Sequence, residues 1–147
     1  MENVKKLINE NQLALSTLVV FTRAEHVIHK KEFETIKKSG LTPAQFGVLE
    51  ALYNKGDLRI CELIEKILTT SGNITVVKKN LEKDGLVRRN PDPNDKRSCI
   101  ISLTEAGKQV IESILPEHIE NIRHIFDTLT DEEKITLKTI LKKFKSI

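Results

Sequence analysis

The first 39 residues contain neither proline nor glycine, so no strong helix-breaking residue interrupts this segment. Apolar residues recur there with helical spacing, most regularly at Val4, Leu7, Ile8, Leu15, Leu18 and Val19. The pattern predicts one long helix that ends near Lys38, with Ser39-Gly40 as its stop. One small domain cannot cover a helix of this length, so we expect it to pack against a second chain.

Composition is typical of a globular protein. The 147 residues, 39% of them hydrophobic, allow one domain with extensions and a sizeable core. No apolar run reaches the roughly 18 residues that a membrane helix needs. The amino terminus lacks the apolar core and cleavage site of a signal peptide, so we expect a cytoplasmic protein that has no membrane partner. Cys61 and Cys99 are too few for a disulfide framework or a cysteine zinc site.

Three helices are predicted in the middle of the chain. Thr42-Pro43-Ala44-Gln45 combines an N-cap hydroxyl, proline at the first helical position and glutamine at the third, which is a capping box. A link and a further helix cover residues 58–68, and Thr69-Thr70-Ser71 offers N-caps for a fourth helix, which ends at Asp84-Gly85. The side chains expected to face the core are, in order, Phe46, Leu49, Leu52, Tyr53, Leu63, Ile64, Ile67, Leu68, Ile74, Val77 and Leu81.

The pattern changes from helix to strand after Gly85. Residues 86–89 and 98–103 have strand-like composition and flank the polar, proline-containing segment 90–95, which predicts a hairpin. Thr104 caps a further helix, in which Pro116 predicts a kink or break, and the capping box at Thr130 opens a last helix.

These elements together predict a mainly α fold with a small β-hairpin, that is, a winged helix-turn-helix with N- and C-terminal dimerisation helices. The predicted boundaries are 1–38 for the first dimerisation helix, 41–104 for the winged helix-turn-helix and 105–147 for the last dimerisation helices. In such a domain the fourth helix is the recognition helix, which enters the major groove of DNA.

Basic residues are concentrated where this domain would meet DNA. Between Thr69 and Cys99 seven basic residues stand against four acidic ones, so this segment has the same net charge of +3 as the whole chain. Local basicity of this kind is the expected electrostatic footprint of nucleic-acid binding. A solvated charged surface is the alternative, since lysines also recur at 134, 138 and 142 in the last helix.

The outer face of the fourth helix carries side chains suited to DNA. Asn73 can pair with an adenine edge, Thr75 can touch a thymine methyl group or a phosphate, and Gly72 permits close backbone approach. Lys78 and Lys79 would contact phosphates, which position a protein without specifying sequence. With one strand residue and the hairpin tip, the predicted DNA-binding set is Ser71, Gly72, Asn73, Thr75, Lys78, Lys79, Arg88, Asp95, Lys96 and Arg97.

The hairpin also carries a family resemblance. Asp95-Lys96-Arg97, a strand, Leu103-Thr104 and then Gly107 resemble the D-x-R…L-T-x-x-G wing signature of the MarR family of bacterial transcription regulators. Upstream, three segments resemble the family's second-helix start, its recognition helix and the turn that follows, namely 41–46, 71–75 and 80–87. The likeness covers residues 41–107. It implies a homodimer with interlocked terminal helices, and we expect a repressor of palindromic double-stranded DNA.

The D-x-R spacing has its own physical reading. Residues two apart in an extended chain point the same way, which predicts that the Asp95 carboxylate orients the guanidinium of Arg97. An oriented arginine at a hairpin tip suits the minor groove, and the resemblance implies that role for Arg97. A surface ion pair without function is the alternative.

The resemblance further implies a signal that releases DNA, commonly a small aromatic or phenolic effector bound between the dimer helices and the winged domain. Some members instead sense oxidants through a cysteine in the first helix. This chain has no cysteine there, and we expect Cys61 and Cys99 to be small buried residues. A redox-sensing variant therefore stays a secondary hypothesis.

Metal binding and catalysis have little support in the sequence. His26 and His29 are three residues apart, which is weak evidence for a metal site, and we expect solvated histidines there and at His118 and His124. No nucleophile turn, phosphate loop or H-E-x-x-H motif is present, so we expect neither an enzyme nor a cofactor. The alternatives that remain are a winged-helix module that binds another protein and a metal-sensing regulator.

Overall fold

A computed structural model describes residues 2–67 and 71–146, with side chains for 3–67 and 73–144. Its helices are α1 (Glu2–Glu10), α2 (Gln12–Lys38), α3 (Pro43–Lys55), α4 (Ile60–Lys66), α5 (Ser71–Lys83), α6 (Glu105–Phe126) and α7 (Asp131–Leu141), with a short 3-10 helix over Lys142–Ser146. The strands are β1 (Leu58–Arg59), β2 (Val87–Asp92) and β3 (Asp95–Leu103). The predicted inward residue Leu68 and the predicted caps Thr69 and Thr70 lie outside the described residues.

The amino-terminal segment forms two helices rather than the predicted one. Asn11 separates α1 from α2 with φ −111° and ψ 16°, and its side-chain amide donates to the carbonyl of Leu7 over 2.8 Å. Asparagine interrupts helices because its side chain competes for backbone partners, which the apolar spacing could not reveal. The predicted end at Lys38 is confirmed. None of the described helices has a stretch both long and apolar enough to cross a membrane.

The core lies among α3, α4, α5 and the sheet, and α2 and α6 close it from one side. The predicted inward positions Phe46, Leu49, Leu52, Leu63, Ile74, Val77 and Leu81 are all buried. Tyr53, also predicted to face the core, is exposed, and its hydroxyl donates to the Glu112 carboxylate over 3.0 Å at the surface. A buried tyrosine would need a partner for that hydroxyl inside the core.

The predicted hairpin is confirmed, and it belongs to a three-stranded antiparallel sheet in the order β1-β3-β2. The strands reach further than predicted, leaving only Pro93 and Asn94 as the turn. Their register runs from Val87 opposite Leu103 to Pro91 opposite Cys99, with a bulge after Pro91. The third strand, β1, has two residues and therefore no alternation that a sequence pattern could show.

The sequence predicts a kink or a break at Pro116, and helix α6 runs through this residue without a break. Proline removes one backbone hydrogen bond from a helix, but the turns on both sides of Pro116 are held by packing. Ile111 and Ile114 are buried before it and His118 is buried after it. Tertiary contacts therefore offset the local cost.

His118 is one of the four histidines expected to be solvated, and the structure corrects that expectation. It is only 1% exposed and lies where α2, α3 and α6 meet. Its Nδ1 is 2.8 Å from the Thr35 hydroxyl, which donates in turn to the carbonyl of Glu32, and its ring packs against Phe46. The histidine is buried because its ring has both a polar partner and an aromatic neighbour.

Candidate nucleic-acid interface

Helix α5 has one buried side and one open side. Ile74, Val77 and Leu81 face the core, which follows from their helical spacing. The opposite side exposes Asn73, Thr75, Val76 and Lys79, with Lys78 half-buried. Ser71 and Gly72, the other two predicted residues, begin the helix, and their side chains lie outside those described. The backbone therefore places six of the ten predicted residues on one helix.

The wing contributes a second exposed basic group. Arg88 in β2 and Lys96 and Arg97 in β3 are all exposed. No acidic side chain of the described residues is within ion-pair distance of these three cations. Exposed cations without an ion pair are available to phosphate oxygens, whereas paired ones would first have to break their ion pairs.

The predicted contact between Asp95 and Arg97 takes a different form. Asp95 Oδ1 accepts the backbone N–H of Arg97 over 2.9 Å, and among the described ion pairs none joins the two side chains. The prediction that the carboxylate orients the guanidinium is therefore wrong. A carboxylate at the start of a strand reaches the N–H two residues on more easily than a flexible side chain, as in an Asx-turn. Asp95 shapes the backbone at the tip instead.

Asp92, which no sequence motif singles out, is the most buried carboxylate of the wing. It is 3% exposed, and its Oδ1 accepts the backbone N–H of Asn94 over 2.9 Å. Its Oδ2 lies 2.6 Å from Nε of Arg59, so the two side chains form an ion pair. The contact lacks the geometry of a hydrogen bond. The Asn94 N–H and then the Arg59 guanidinium hold the pKa of Asp92 below its ordinary value, although burial opposes them.

Arg59 is the second residue that sequence reasoning missed. It occupies the N-cap of α4, where its own backbone N–H is bound by the Glu62 carboxylate over 2.8 Å. The N-cap position favours Ser, Thr, Asp or Asn. An arginine at the start of a helix is therefore unusual, and this is the signal by which Arg59 could have been found.

The base of the wing is joined to α6 by the residues of the L-T-x-x-G motif. The hydroxyl of Thr104 donates to the carbonyl of Gly85 and accepts the N–H of Gly107, over 2.6 Å and 3.0 Å. A Cβ on Gly107 would lie 2.0 Å from the carbonyl oxygen of Leu86. The motif therefore fixes the start of α6 against the turn after α5, since only glycine allows this close approach.

A cavity of about 710 Å³ opens between α2, α3 and the end of α4. Phe33, Ala44, Ala51 and Ile67 give it apolar walls, and Asn73 of α5 reaches its edge. Charged residues also line it, namely Glu50, Lys55 and Lys66. An apolar pocket with a few polar groups is the usual form of a small-molecule site.

Cys61, like His118, does not have the exposure that the sequence predicts. Cys61 is exposed at the start of α4 and Cys99 is half-buried in β3, so the prediction that both are buried is wrong for Cys61. His29 lies between two carboxylates of its own helix, with Nδ1 2.7 Å from Glu32. Among the described residues no three His, Cys, Asp or Glu side chains converge as metal ligands would.

The sequence is similar to those of known transcriptional regulators. A model of the MarR family matches residues 41–99. The chain is 34% identical over 134 residues to YkoM, an HTH-type transcriptional regulator of Bacillus subtilis, and the match covers 91% of this chain and 87% of YkoM.

Two solved structures share the architecture. Sco3205, a MarR family transcriptional regulator from Streptomyces coelicolor solved in complex with DNA, has a TM-score of 0.81 at 27% identity, covering 93% of this chain and 86% of Sco3205. BpsR of Bordetella bronchiseptica, whose DNA binding is regulated by 6-hydroxynicotinic acid, has a TM-score of 0.78 at 25% identity, covering 88% of this chain and 98% of BpsR.

Proposed function

Because the chain belongs to the MarR family of DNA-binding transcriptional regulators, we propose that it acts as a homodimeric, ligand-responsive repressor of palindromic DNA. In this proposal α5 enters the major groove and the wing reaches the minor groove. The protein is a regulator like its relatives, rather than an enzyme.

The observation that carries the proposal is the pair of open basic elements, α5 and the tip of the wing. Lys79 on α5 and Lys96 and Arg97 on the wing are exposed, and among the described ion pairs none engages them. Helix and wing would contact adjacent grooves, as winged helix-turn-helix proteins do. The likeness to Sco3205, which was solved with DNA, supports the same mode of binding here.

Dimerisation is supported by apolar side chains at both ends of the chain. A folded monomer rarely exposes contiguous apolar residues on this scale, and a second copy of the same surface is the commonest partner. The exposed residues are Val4, Leu7, Ile8, Leu15, Leu18 and Val19 at one end and Ile135, Ile140, Leu141 and Phe144 at the other.

Ligand response is supported by the cavity between α2 and α3. Its wall includes Phe33 on the proposed dimerisation helix and Asn73 on the proposed recognition helix. A molecule bound there would contact both the dimer-forming and the DNA-contacting parts. We propose a small aromatic or phenolic effector, by analogy with the hydroxylated aromatic acid that regulates BpsR.

The test is a salt series of binding to duplex DNA that the protein itself selects from a random pool. We expect the selected duplexes to be palindromic, and the logarithm of the affinity to fall linearly with the logarithm of the salt concentration. A module that binds another protein would select no sequence and give a flat salt series. Selected sites without a repeat would contradict the dimer.

A further inference from the structure

We propose that Arg59 and Asp92 are positioning residues for DNA binding, because their ion pair holds the wing at one angle to the helix-turn-helix. This role rests on the proposed function of the wing. It extends that function to two side chains outside the predicted DNA-contacting set, neither of which has to touch DNA.

The ion pair spans the sheet. Arg59 belongs to β1 and Asp92 to β2, and β3 lies between them, so no backbone hydrogen bond joins the two outer strands directly. Arg59 and Asn90 both lie opposite Ile100, and residues directly opposite each other share a face of the sheet. The Arg59 side chain therefore crosses β3 on the face that Asn90 shares and reaches the far end of β2.

Asp92 depends on this contact. Its carboxylate is buried at the bulge of β2. Oδ2 has no hydrogen-bond partner among the described residues, and its ion-pair partner there is the Arg59 guanidinium. Burying a carboxylate is unfavourable unless a cation stays beside it. Loss of Arg59 would therefore drive Asp92 toward solvent, and the tip would have to change conformation to let it out.

Two hydrogen bonds, with the Asn94–Asp95 peptide bond between them, connect Asp92 to Arg97. Asp92 Oδ1 accepts the N–H of Asn94, which is in the turn, and Asp95 Oδ1 accepts the N–H of Arg97. The direction in which Arg97 leaves the wing therefore depends on where Asp92 is held.

On its other side the pair connects to the recognition helix. Arg59 directly precedes α4, and Leu63 of α4 is fully buried in the core that also receives Ile74 and Leu81 of α5. Helix α4 is thus a rigid link between the two elements. The Arg59–Asp92 pair couples the position of the wing tip to that of α5, so that both can enter adjacent grooves together.

The experiment is a double-mutant cycle on affinity for the duplex selected by the wild-type protein, at a temperature well below unfolding. The variants are Arg59→Gln, Arg97→Ala and their combination. We expect Arg59→Gln to lower affinity by roughly two- to tenfold, and Arg97→Ala to cost less in the Arg59→Gln background than alone. Arg59→Lys, which keeps a cation, should recover most of the affinity. Lys108→Gln removes a cation from another exposed ion pair, with Glu112, and is the matched control.

A second readout needs no DNA. Amide exchange at Asn94 should be faster in Arg59→Gln than in the wild type, because Asp92 no longer holds that N–H. If Arg59→Gln does not fold well, Asp92→Asn replaces it, since the amide oxygen can still accept the Asn94 N–H while the charge that attracts Arg59 is lost. We expect the same coupling to Arg97 in that variant.

The outcomes separate this role from the proposed function. If Arg97→Ala lowers affinity but the two substitutions are additive, and Arg59→Gln reduces the salt dependence by about one unit, Arg59 contacts a phosphate directly and the positioning role is wrong. Unchanged affinity or unchanged Asn94 exchange in Arg59→Gln also overturns it. If Arg97→Ala alone has no effect, the wing does not contact DNA, and the proposed function of the wing fails together with the positioning role.

Discussion

At the scale of single residues, two glycines differ in what a side chain would meet. A Cβ on Gly107 would lie 2.0 Å from the Leu86 carbonyl oxygen and 2.9 Å from Leu103 Cδ1. A Cβ on Gly47, inside α3, would lie 3.5 Å from Ile67 Cγ2, which is ordinary contact. The first glycine is required by close approach of the backbone, and the second is not.

We therefore expect Gly107→Ala to lower the free energy of unfolding by about 1–3 kcal/mol or more, because α6 must move away from the wing. Gly47→Ala is the matched control, and it should be neutral or raise stability by up to about 1 kcal/mol through helix propensity. Urea unfolding followed by circular dichroism, at one protein concentration, measures both. Equal stabilities for the two variants would contradict the requirement for glycine at position 107.

Arg97 is predicted to matter for binding and not for folding. Arg97→Ala should lower DNA affinity by about 1–3 kcal/mol per contact and change stability by no more than about 0.5 kcal/mol. Asp95→Asn should stay close to the wild type, since an amide oxygen can still accept the Arg97 N–H, whereas Asp95→Ala removes that acceptor. Binding titrations and thermal unfolding test the three variants. Normal operator binding by Arg97→Ala would exclude the wing as a contact.

Asp92 makes stability depend on pH in a defined direction. The Asn94 N–H, and next the Arg59 guanidinium, hold its pKa below the ordinary value of 3.8. A carboxyl whose pKa is lower in the folded chain stabilises the fold fully above the unfolded-state pKa, and this contribution disappears as pH falls through the folded-state pKa. The window therefore lies at and below the ordinary carboxyl range.

Asp92→Asn should accordingly be less stable than the wild type at neutral pH, and the difference should shrink as the pH falls from about 5 toward 2. Urea unfolding at a series of pH values measures the difference. The same substitution at Asp57, which is exposed, is the control. A difference that stays constant down to the lowest pH would show that the Asp92 charge does not stabilise the wing.

At the scale of elements, α1 and α2 combine two kinds of helix surface. The carboxyl-terminal part of α2 is packed within the chain, where Thr35 and Ile36 are buried. The amino-terminal part and α1 expose the apolar positions that first predicted a long helix. The same spacing that forms the helix therefore leaves it with an uncovered face.

We expect Leu18→Asp to weaken dimerisation strongly, because it places a charge on the apolar face. Ser16→Asp adds the same charge two residues away on another side of α2 and should leave the dimer intact. Burial of one leucine contributes about 1.5–3 kcal/mol, so the loss should be visible by sedimentation or light scattering at micromolar concentration. If the Leu18→Asp protein remains dimeric, the dimer interface does not include Leu18.

At the scale of the whole molecule, the proposed effector site and the DNA-binding surface share structure. The cavity lies between α2 and α3, and Asn73 of α5 lies at its edge. A ligand that fits the cavity better in one arrangement of α2 and α5 would shift the population of DNA-competent dimers. By linkage, DNA would weaken ligand binding by the same factor.

Three variants test whether the signal is a ligand in the cavity or oxidation of a cysteine. Ala51→Phe places a larger side chain in the cavity wall. We expect this variant to keep DNA binding and to lose release by the proposed hydroxylated aromatic effector. The double variant Cys61→Ser, Cys99→Ser should respond like the wild type. Fluorescence anisotropy with labelled duplex measures release. Loss of response in Cys99→Ser alone would favour a redox sensor, although Cys61 is the more exposed thiol.

Local signals in the sequence predict the hairpin, the family and most of the helices, but not the division of the amino-terminal segment into α1 and α2. The N-cap hydroxyls of Thr42, Thr104 and Thr130, and the helical spacing of apolar residues, mark where helices start and which side they bury. The wing signature is continuous in the chain, and the residues predicted for α5 and the tip lie together on those two elements.

Features that depend on residues far apart in sequence are visible only in the folded structure. Arg59 pairs with Asp92, Thr35 binds His118, and β1 exists only because β3 lies beside Leu58. Pro116 stays within a helix because distant side chains pack around it. Spacing along a chain predicts the face on which a side chain lies, but a partner many residues away is found only when the elements pack. The prediction for Asp95 is wrong for a local reason, since the spacing of two residues does not distinguish the side chain of Arg97 from its backbone N–H.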